Sequence, residues 1–240
     1  MKAMIFAAGK GTRLGDITAT RPKALLEIHG KTAIRMAVER LTSHGFDDII
    51  INVHHHPEQM IKAINNLRKE GFRLTVSDES DLLLETGGGL YKAKWFFDDR
   101  PFLLYNVDII TDIDLYELYS YHIAGGGIAT LAVRDAPDER VFLTDKDGLV
   151  KGWRNKKTGE EVITGNIKNL NEKAFSGIHI VEPEIFRFMN EGVYSMTSLY
   201  IKLAGHQKIS TFNHNKGYFF DIGTPIDIEK ASSFLQKKFL

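Results

Sequence analysis

The sequence predicts an α/β protein in which a mainly parallel sheet carries helices on both faces. Short apolar strands alternate with amphipathic helices over the first hundred residues, which is the pattern of parallel sheets. From residue 127 onward several strands follow one another with turns between them, and the chain then returns to helices. The 240 residues contain neither a Pro/Ser-rich linker nor an internal repeat, so we expect a single domain over 1–240.

The first half of the chain alternates regularly between strands and helices. Strands are expected where apolar residues run together, at 3–6, 48–53, 72–77 and 102–108. Helices are expected where apolar residues recur at helical spacing, at 32–45, 57–71 and 88–97. Because open α/β sheets bind ligands beyond the carboxyl ends of their strands, the candidate ligand residues follow positions 6, 53, 77, 105 and 220.

The second half has a different pattern. Strands separated by turns are expected at 127–135, 140–145, 148–155 and 173–181. Helices are expected at 115–122, with Asp114 as the N-cap, and near 183–188 and 195–204. The chain then closes with two strands, a turn and a final helix.

The composition excludes several classes of protein. Lys plus Arg and Asp plus Glu both number 31, so the formal net charge of zero argues against a protein that coats nucleic acid. There is no cysteine for disulfides or thiol chemistry. No apolar run approaches the ~20 residues of a membrane span, and the N-terminus lacks the pattern of a signal peptide. We therefore expect a cytoplasmic protein without a nucleic-acid or membrane partner.

The segment FAAGKGTRLGDITATRPKALLEI, at 6–28, follows the first strand directly. Glycines let backbone N–H groups approach phosphate oxygens, and Lys and Arg neutralise them. The glycine spacing fits neither G-x-G-x-x-G nor a P-loop. The segment therefore indicates either a different phosphate loop or a glycine-rich turn with solvated cations.

Four segments in order resemble those of the nucleotidyltransferases that make NDP-sugars from an NTP and a sugar 1-phosphate. They are AAGKGTRL with the following Lys23, LETGGGL at 84–90, FLLYNVDI at 102–109 and YFFDIGTPIDIEKA at 218–231. The resemblance covers nearly all of the chain. It is nearest the short branch that includes N-acetylmuramate 1-phosphate uridylyltransferases and mannose 1-phosphate guanylyltransferases. It implies a Rossmann-like mixed, mostly parallel sheet with helices on both faces. Since only one helix follows residue 224, we expect no C-terminal β-helix domain.

The resemblance also implies a role for individual residues. Arg13 would stabilise the departing pyrophosphate, and Lys23 would bridge the α-phosphate and the attacking phosphate. Asp108 and Asp221 would hold Mg²⁺ or Mn²⁺, whose preferred ligands include carboxylates and phosphate oxygens. The NTP is expected to contact Ala8, Gly9, Gly11, Thr12, Glu85, Thr86, Gly87 and Gly88. The sugar 1-phosphate is expected to contact Asn106, Lys156, Ser176 and Gly177.

The sequence departs from the family pattern where the acceptor should bind. Many members carry Glu-Lys-Pro after the middle strands, and this chain has GWRNKKTGE from residue 152. Lys156 is the best match to that lysine, and Arg154 competes with it. Members also often have glycine before the first metal-binding aspartate, where this chain has Val107.

Several alternatives stay open at this stage. The preferred substrates are UTP and an amino-sugar 1-phosphate such as N-acetylmuramate 1-phosphate. GTP with mannose or heptose 1-phosphate is the first alternative, and CTP with phosphocholine or a related alcohol phosphate is the second. A non-catalytic sensing domain is disfavoured because all four charged site residues are retained. His54, His55 and His56 are interpreted as a strand-end loop rather than a zinc site, and the oligomeric state is not determined.

Overall fold

The structure is a computed structural model that describes residues 1–165 and 168–238. The α-helices in these residues are α1 (Ala33–Ser43), α2 (Pro57–Lys69), α3 (Glu85–Lys92), α4 (Leu115–Gly125), α5 (Met196–Leu203) and α6 (Pro225–Lys238). Short 3₁₀ helices span Thr12–Thr18, Lys23–Leu25, Lys94–Phe96 and Pro183–Phe188. Among the described residues, no helix combines the length and apolar character needed to cross a membrane.

The strands follow the predicted alternation closely. They are β1 (Lys2–Phe6), β2 (Glu27–Ile28), β3 (Lys31–Thr32), β4 (Asp48–Val53), β5 (Arg73–Asp78), β6 (Phe102–Asn106), β7 (Ile109–Thr111), β8 (Ala129–Arg134), β9 (Arg140–Thr144), β10 (Val150–Asn155), β11 (Glu161–Ile163), β12 (Asn171–Val181), β13 (Ile209–Asn213) and β14 (Phe219–Asp221). The sequence pattern missed β2, β3, β7 and β11. Each has only two or three residues, too few to show a period.

The central sheet has ten strands and is mixed, which confirms the predicted fold class. Strands β6, β1, β4 and β5 form a parallel block in that order, as the alternation of strands and helices predicts. The antiparallel strands β12, β9, β10 and β11 extend the sheet beyond β6. Strand β12 also pairs with β8, which in turn pairs with β13 in parallel.

Helices cover both faces of this sheet. Alternate residues of β1 point to opposite sides, so Ile5 joins one core together with Ile34 of α1 and Met60 of α2. Met4 points the other way and joins a second core with Leu199 of α5. The two buried cores fix the sheet between two helical layers, and the carboxyl ends of the parallel strands are left at one edge.

Candidate functional site

The glycine-rich loop begins where β1 ends. The backbone N–H of Ala7 donates to Asn52 Oδ1 at 2.7 Å, which ties the start of the loop to β4. Gly11 has a left-handed backbone with a φ of 66°, which a residue with a Cβ rarely adopts. The hydroxyl of Thr18 donates to the carbonyls of Gly11 at 3.1 Å and Gly15 at 3.2 Å. The loop is therefore folded back on itself, with Gly9 exposed at its tip.

Two of the three consecutive histidines hold this loop from the side. His55 Nε2 lies 2.9 Å from the carbonyl of residue 18, and His56 Nε2 lies 3.1 Å from that of residue 19. Gln59 donates to the carbonyl of residue 20 at 3.0 Å. We call His55, His56 and Gln59 the loop clamp. His54 turns away from it, and its Nδ1 lies 2.7 Å from the Glu79 carbonyl.

A cavity of about 330 Å³ opens beside the loop at the carboxyl edge of the sheet. Seven of the predicted site residues line it: Ala8, Gly9, Lys23, Glu85, Thr86, Asn106 and Asp108. Asn52, Leu83 and Ser195 also line it, together with Phe6, Ala7 and Val107. The structure thus brings the predicted glycine loop, the LETGGG segment and the first aspartate to one place.

Helix α3 begins at Glu85, whereas the sequence pattern predicted a helix from residue 88, so the glycines of the LETGGG segment lie inside the helix. Its glycines are required for packing. A Cβ on Gly87 would lie 2.4 Å from the ring of Tyr194, and one on Gly88 would lie 2.0 Å from the Gly192 carbonyl oxygen. These two predicted nucleotide contacts are themselves residues of α3, and both are buried. Glu85, at the helix start, has a left-handed φ of 58° and lines the cavity.

Four charged side chains predicted from three separate motifs converge next to the cavity. Lys23 Nζ lies 2.5 Å from Asp108 Oδ2 and 3.8 Å from Asp221 Oδ1. Arg13 Nη2 lies 3.6 Å from Asp221 Oδ2. The Lys23 side chain is only 10% exposed, whereas that of Arg13 is 63% exposed. We call Arg13, Lys23, Asp108 and Asp221 the charge cluster.

The two aspartates meet because β7 and β14 form a short antiparallel ribbon. Asp108 immediately precedes β7, Asp221 ends β14, and Asp221 pairs with Ile109. The backbone N–H of Ile222 donates to the carbonyl of Asp108 at 3.0 Å. Residues more than a hundred positions apart are therefore held side by side by backbone hydrogen bonds.

The charge cluster offers two carboxylates to a divalent cation, and within residues 1–165 and 168–238 no group of three or more His, Asp or Glu side chains forms a metal-binding set. Partial burial and then the negative charge of Asp108 raise the pKa of Asp221, although Lys23 and Arg13 act in the opposite direction. Both carboxylates lie near the same ammonium, that of Lys23, so a cation placed between them would meet two oxygen donors. Oxygen donors of this kind suit Mg²⁺ or Mn²⁺ when phosphate and water complete the coordination.

The predicted acceptor residues fall into two groups. Asn106 and Gly177 are in contact, since a Cβ on Gly177 would lie 2.6 Å from Asn106 Nδ2. Ser176 lies next to them but is fully buried, and its hydroxyl is 2.7 Å from His214 Nε2 and 3.4 Å from Arg134 Nε. Burial and then the charge of Arg134 lower the pKa of His214 to about 4, so this imidazole is neutral at neutral pH.

Lys156 and Arg154 form the other group, away from the residues that line the cavity. Lys156 Nζ lies 2.6 Å from one oxygen of Glu172, and Arg154 Nη1 lies 2.6 Å from the other. Arg154 also pairs with Glu161. Both cations are thus engaged by carboxylates on the outer part of the sheet.

Sequence reasoning missed a buried polar chain beneath the loop. Asn52, which accepts from Ala7, donates to Glu79 Oε1 at 2.8 Å, and both residues are almost fully buried. Burial raises the pKa of Glu79, while the bond from Asn52 opposes that rise. A polar residue inside the apolar strand DIIINV was the available signal, because a buried amide needs partners.

Comparisons with known proteins identify the family to which this fold and sequence are similar. A family model described as nucleotidyl transferase matches residues 2–238. A UTP–glucose-1-phosphate uridylyltransferase of Synechocystis sp. is 33% identical over 207 residues, which cover 80% of this chain and 52% of that protein. A mannose-1-phosphate guanyltransferase of Yarrowia lipolytica is 30% identical over 233 residues. The match covers 95% of this chain and 62% of that protein.

One relative matches over its whole length. An N-acetylmuramate alpha-1-phosphate uridylyltransferase of Neisseria meningitidis serogroup B is 30% identical over 241 residues, with 97% of each chain covered. Among solved structures, HddC from Yersinia pseudotuberculosis superposes with a TM-score of 0.79 at 21% identity, covering 98% of this chain and 99% of the other. That likeness extends to the whole fold.

Proposed function

The chain belongs to the nucleotidyl transferase family, and on that premise we propose that it transfers a nucleotidyl group from an NTP to a sugar 1-phosphate. The products are an NDP-sugar and pyrophosphate. The observation that carries the proposal is the convergence of Arg13, Lys23, Asp108 and Asp221 beside a glycine-rich loop. Two highly charged anions must be brought together in this reaction, and the cluster supplies charges of both signs at one point.

The chemistry needs positioning more than covalent help from the protein. An oxygen of the sugar phosphate forms a bond to the α-phosphorus of the NTP, while the bond from that phosphorus to the pyrophosphate oxygen breaks. No general base is needed, because the attacking phosphate is already ionised at neutral pH. Catalysis then depends on alignment and on charge neutralisation by preorganised groups.

The buried and exposed cations of the cluster suit different parts of this reaction. Lys23 is enclosed next to the cavity, so its ammonium can bridge the α-phosphate and the attacking phosphate once it exchanges Asp108 for phosphate oxygens. Arg13 lies on the open side of the cluster, where it can neutralise the departing pyrophosphate. Asp108 and Asp221 would hold Mg²⁺ or Mn²⁺, and the bound cation would supply further neutralisation of the phosphates.

For the substrates, we propose UTP and an amino-sugar 1-phosphate such as N-acetylmuramate 1-phosphate. The support is the Neisseria relative, which matches this chain over 97% of both lengths and is named for that acceptor. GTP with mannose 1-phosphate is the second candidate, because the Yarrowia guanyltransferase is equally identical over 95% of this chain.

A panel assay tests the reaction and the substrates together. Purified protein is incubated with each of the four common NTPs and with a set of sugar 1-phosphates, with Mg²⁺, and pyrophosphate release is measured. UTP with N-acetylmuramate 1-phosphate should give the highest kcat/KM. If CTP with phosphocholine is the pair that is turned over and no sugar 1-phosphate reacts, the protein is instead a cytidylyltransferase of alcohol phosphates. Release from no pair would refute the proposal in favour of a sensing domain.

A further inference from the structure

Arg134 is a half-buried arginine that neither the sequence motifs nor the charge cluster accounts for. It is the last residue of β8 and pairs across the sheet with Ala174 of β12. The Cζ of its guanidinium lies over the ring of Phe219, 3.6 Å from the ring centroid, and its Nε is 3.4 Å from the Ser176 hydroxyl. Stacking and this contact fix the plane of the guanidinium, which is the preorganisation that favours bidentate binding.

The terminal amino groups of this side chain are open. Over residues 1–165 and 168–238, no hydrogen-bond or ion-pair partner reaches Nη1 or Nη2 of Arg134. Burial lowers the pKa of Arg134, although the more distant charges of Asp138 and Asp221 oppose this. Placing a cation in such surroundings is unfavourable unless an anion joins it. The arrangement therefore favours binding of an anion.

The position of Arg134 indicates which anion this is. Ser176, its hydrogen-bond neighbour, precedes Gly177, which packs directly against Asn106 at the rim of the cavity. Arg134 is also close enough to Asp221 for the two charges to interact. It lies on the side of the charge cluster that faces β12, where it lines a separate cavity of about 520 Å³ together with His214 and Phe219.

We propose that Arg134 binds the phosphate of the acceptor substrate, as a planar fork held by Phe219 and Ser176. The proposal rests on the proposed function, since it assigns one of that reaction's two anions to a particular residue. It also gives this residue the role expected from the sequence for Lys156, which pairs with Glu172 in the structure. A fork of parallel N–H groups matches two phosphate oxygens and holds the third toward the α-phosphorus.

The test compares Arg134→Gln, Arg134→Lys and wild type, with Arg187→Gln as the matched control. Arg187 is a highly exposed arginine in the 3₁₀ helix that follows β12, where it pairs with Glu184. In steady-state assays Arg134→Gln should raise the acceptor KM roughly 10- to 100-fold, the usual effect of a lost charged hydrogen bond, and leave the NTP KM unchanged. Arg134→Lys should recover only part of the loss, because it keeps the charge and not the fork.

Two further comparisons test whether the anion bound by Arg134 is the acceptor phosphate, a sugar carboxylate or a phosphate of the NTP. The KM increase should be similar for sugar 1-phosphates with and without a sugar carboxylate. An increase confined to carboxylate-bearing acceptors, or an increase in the NTP KM instead, would overturn the assignment.

Calorimetric titration with inorganic phosphate tests the same site without turnover. Wild type and Arg187→Gln should bind phosphate at least tenfold more tightly than Arg134→Gln. Equal binding by all three would overturn the proposal. If wild type shows no turnover but Arg134→Gln still loses phosphate binding, the reaction assignment fails and the Arg134 site stands.

Discussion

Lys23 determines how the two aspartates behave. Two carboxylates that converge without a cation repel each other, and this repulsion alone would make the removal of either charge stabilising. In the structure the enclosed ammonium of Lys23 bonds Asp108 at 2.5 Å and lies farther from Asp221, at 3.8 Å. The two carboxylates are therefore not equivalent, and their substitutions should affect stability differently.

We expect Asp108→Asn and Asp221→Asn both to abolish Mg²⁺-dependent turnover, because Asn keeps the shape of the side chain but not its charge. Asp108→Asn should also lower the free energy of unfolding by about 1–3 kcal/mol, since it leaves a buried ammonium without its anion. Asp221→Asn should stay within about 0.5 kcal/mol of wild type, because that side chain is 44% exposed. Turnover and urea unfolding are measured in parallel.

Asp114→Asn is the control for this pair, because Asn preserves the N-cap of α4 that Asp114 provides. It should leave both turnover and unfolding unchanged. Wild-type turnover with wild-type metal dependence in either Asp108→Asn or Asp221→Asn would show that the residue is not a ligand.

Arg13→Ala should reduce turnover about 10²- to 10³-fold, as the loss of one preorganised donor to developing charge does. Its folding should change by less than about 0.5 kcal/mol, because the exposed side chain packs little. Gly223→Ala offers an independent check, since its Cβ would lie 2.6 Å from the Arg13 guanidinium and displace it. Both variants are assayed for pyrophosphate release. Full activity in both variants would show that Arg13 takes no part in the reaction.

At the scale of residues, the motifs located the charge cluster but not its surroundings. Arg13, Lys23, Asp108 and Asp221 each lie in a short local pattern, so a linear sequence is enough to find them. Arg134 and His214 could not be found in this way. Their importance comes from burial and from contact with Ser176, which depend on the pairing of β8, β12 and β13.

At the scale of elements, the loop clamp links the first turn of α2 to the glycine-rich loop. Three side chains contact three consecutive carbonyls, so the loop that carries Arg13 is held against a rigid helix. Consecutive histidines suggested a strand-end loop from the sequence, and they occupy one. Their partners could not be predicted, because the conformation of the glycine loop sets which carbonyls they meet.

We expect His55→Phe to lower kcat/KM for the NTP about 2- to 10-fold, which corresponds to the loss of one hydrogen bond that orders the loop. His55→Gln should restore most of the loss, since the Gln amide places a donor near the position of Nε2. The melting temperature of the two variants should be similar. Kinetics with varied NTP make the comparison. If Gln and Phe are equally impaired, or if only stability falls, the clamp has no role in positioning the loop.

In helix α3 the glycines are needed because their neighbours leave no room for a side chain, and not because of an unusual backbone conformation. Gly88→Ala should lower the free energy of unfolding by about 1–3 kcal/mol, because its Cβ would meet the Gly192 carbonyl at 2.0 Å. This exceeds the gain of ~1 kcal/mol that Ala brings to a helix. Gly125→Ala, at the end of α4, meets nothing within 4 Å and should stabilise by about 0.4–1 kcal/mol. Urea unfolding of both variants checks the contrast in sign.

At the scale of the whole molecule, several histidines are enclosed in the fold. Burial lowers the pKa of His179 to about 3, and burial with the nearby Arg134 lowers that of His214 to about 4. In the unfolded chain a histidine has a pKa near 6.5 and is protonated below that pH. Between that pH and the lower folded pKa values, both imidazoles are neutral in the folded state. Their contribution to stability is complete above pH ~6.5 and is lost as the pH falls toward the folded pKa values.

We accordingly expect the free energy of unfolding to fall between about pH 6.5 and pH 4, by up to roughly 1.4 kcal/mol per pH unit for each buried histidine. Urea titrations at a series of pH values measure the slope. His179→Gln should be less stable at neutral pH and show a shallower slope. A profile that is flat over this window would mean that these histidines are accessible to protons in the folded state.

The architecture itself was predictable because a parallel block has a regular sequence signature. The sequence was less informative where strands leave that pattern. Strand β12 runs for eleven residues and changes partners along its length, from β9 at its start to β6 at its end, with an irregularity between Phe175 and His179. Such a change of partners depends on the whole sheet, and no local window of sequence records it.

The β7–β14 ribbon has a consequence for how the protein becomes active. Its two strands are separated by more than a hundred residues, so the ribbon closes a very long loop, and closure of such a loop costs chain entropy that local helices do not. A refolding chain can order β1, β4 and their helices before the last strand arrives. The pair of carboxylates does not exist in such an intermediate. On the proposed function, the site is therefore complete only when the last strand has docked, because a molecule without the ribbon lacks the carboxylate pair that would hold the cation.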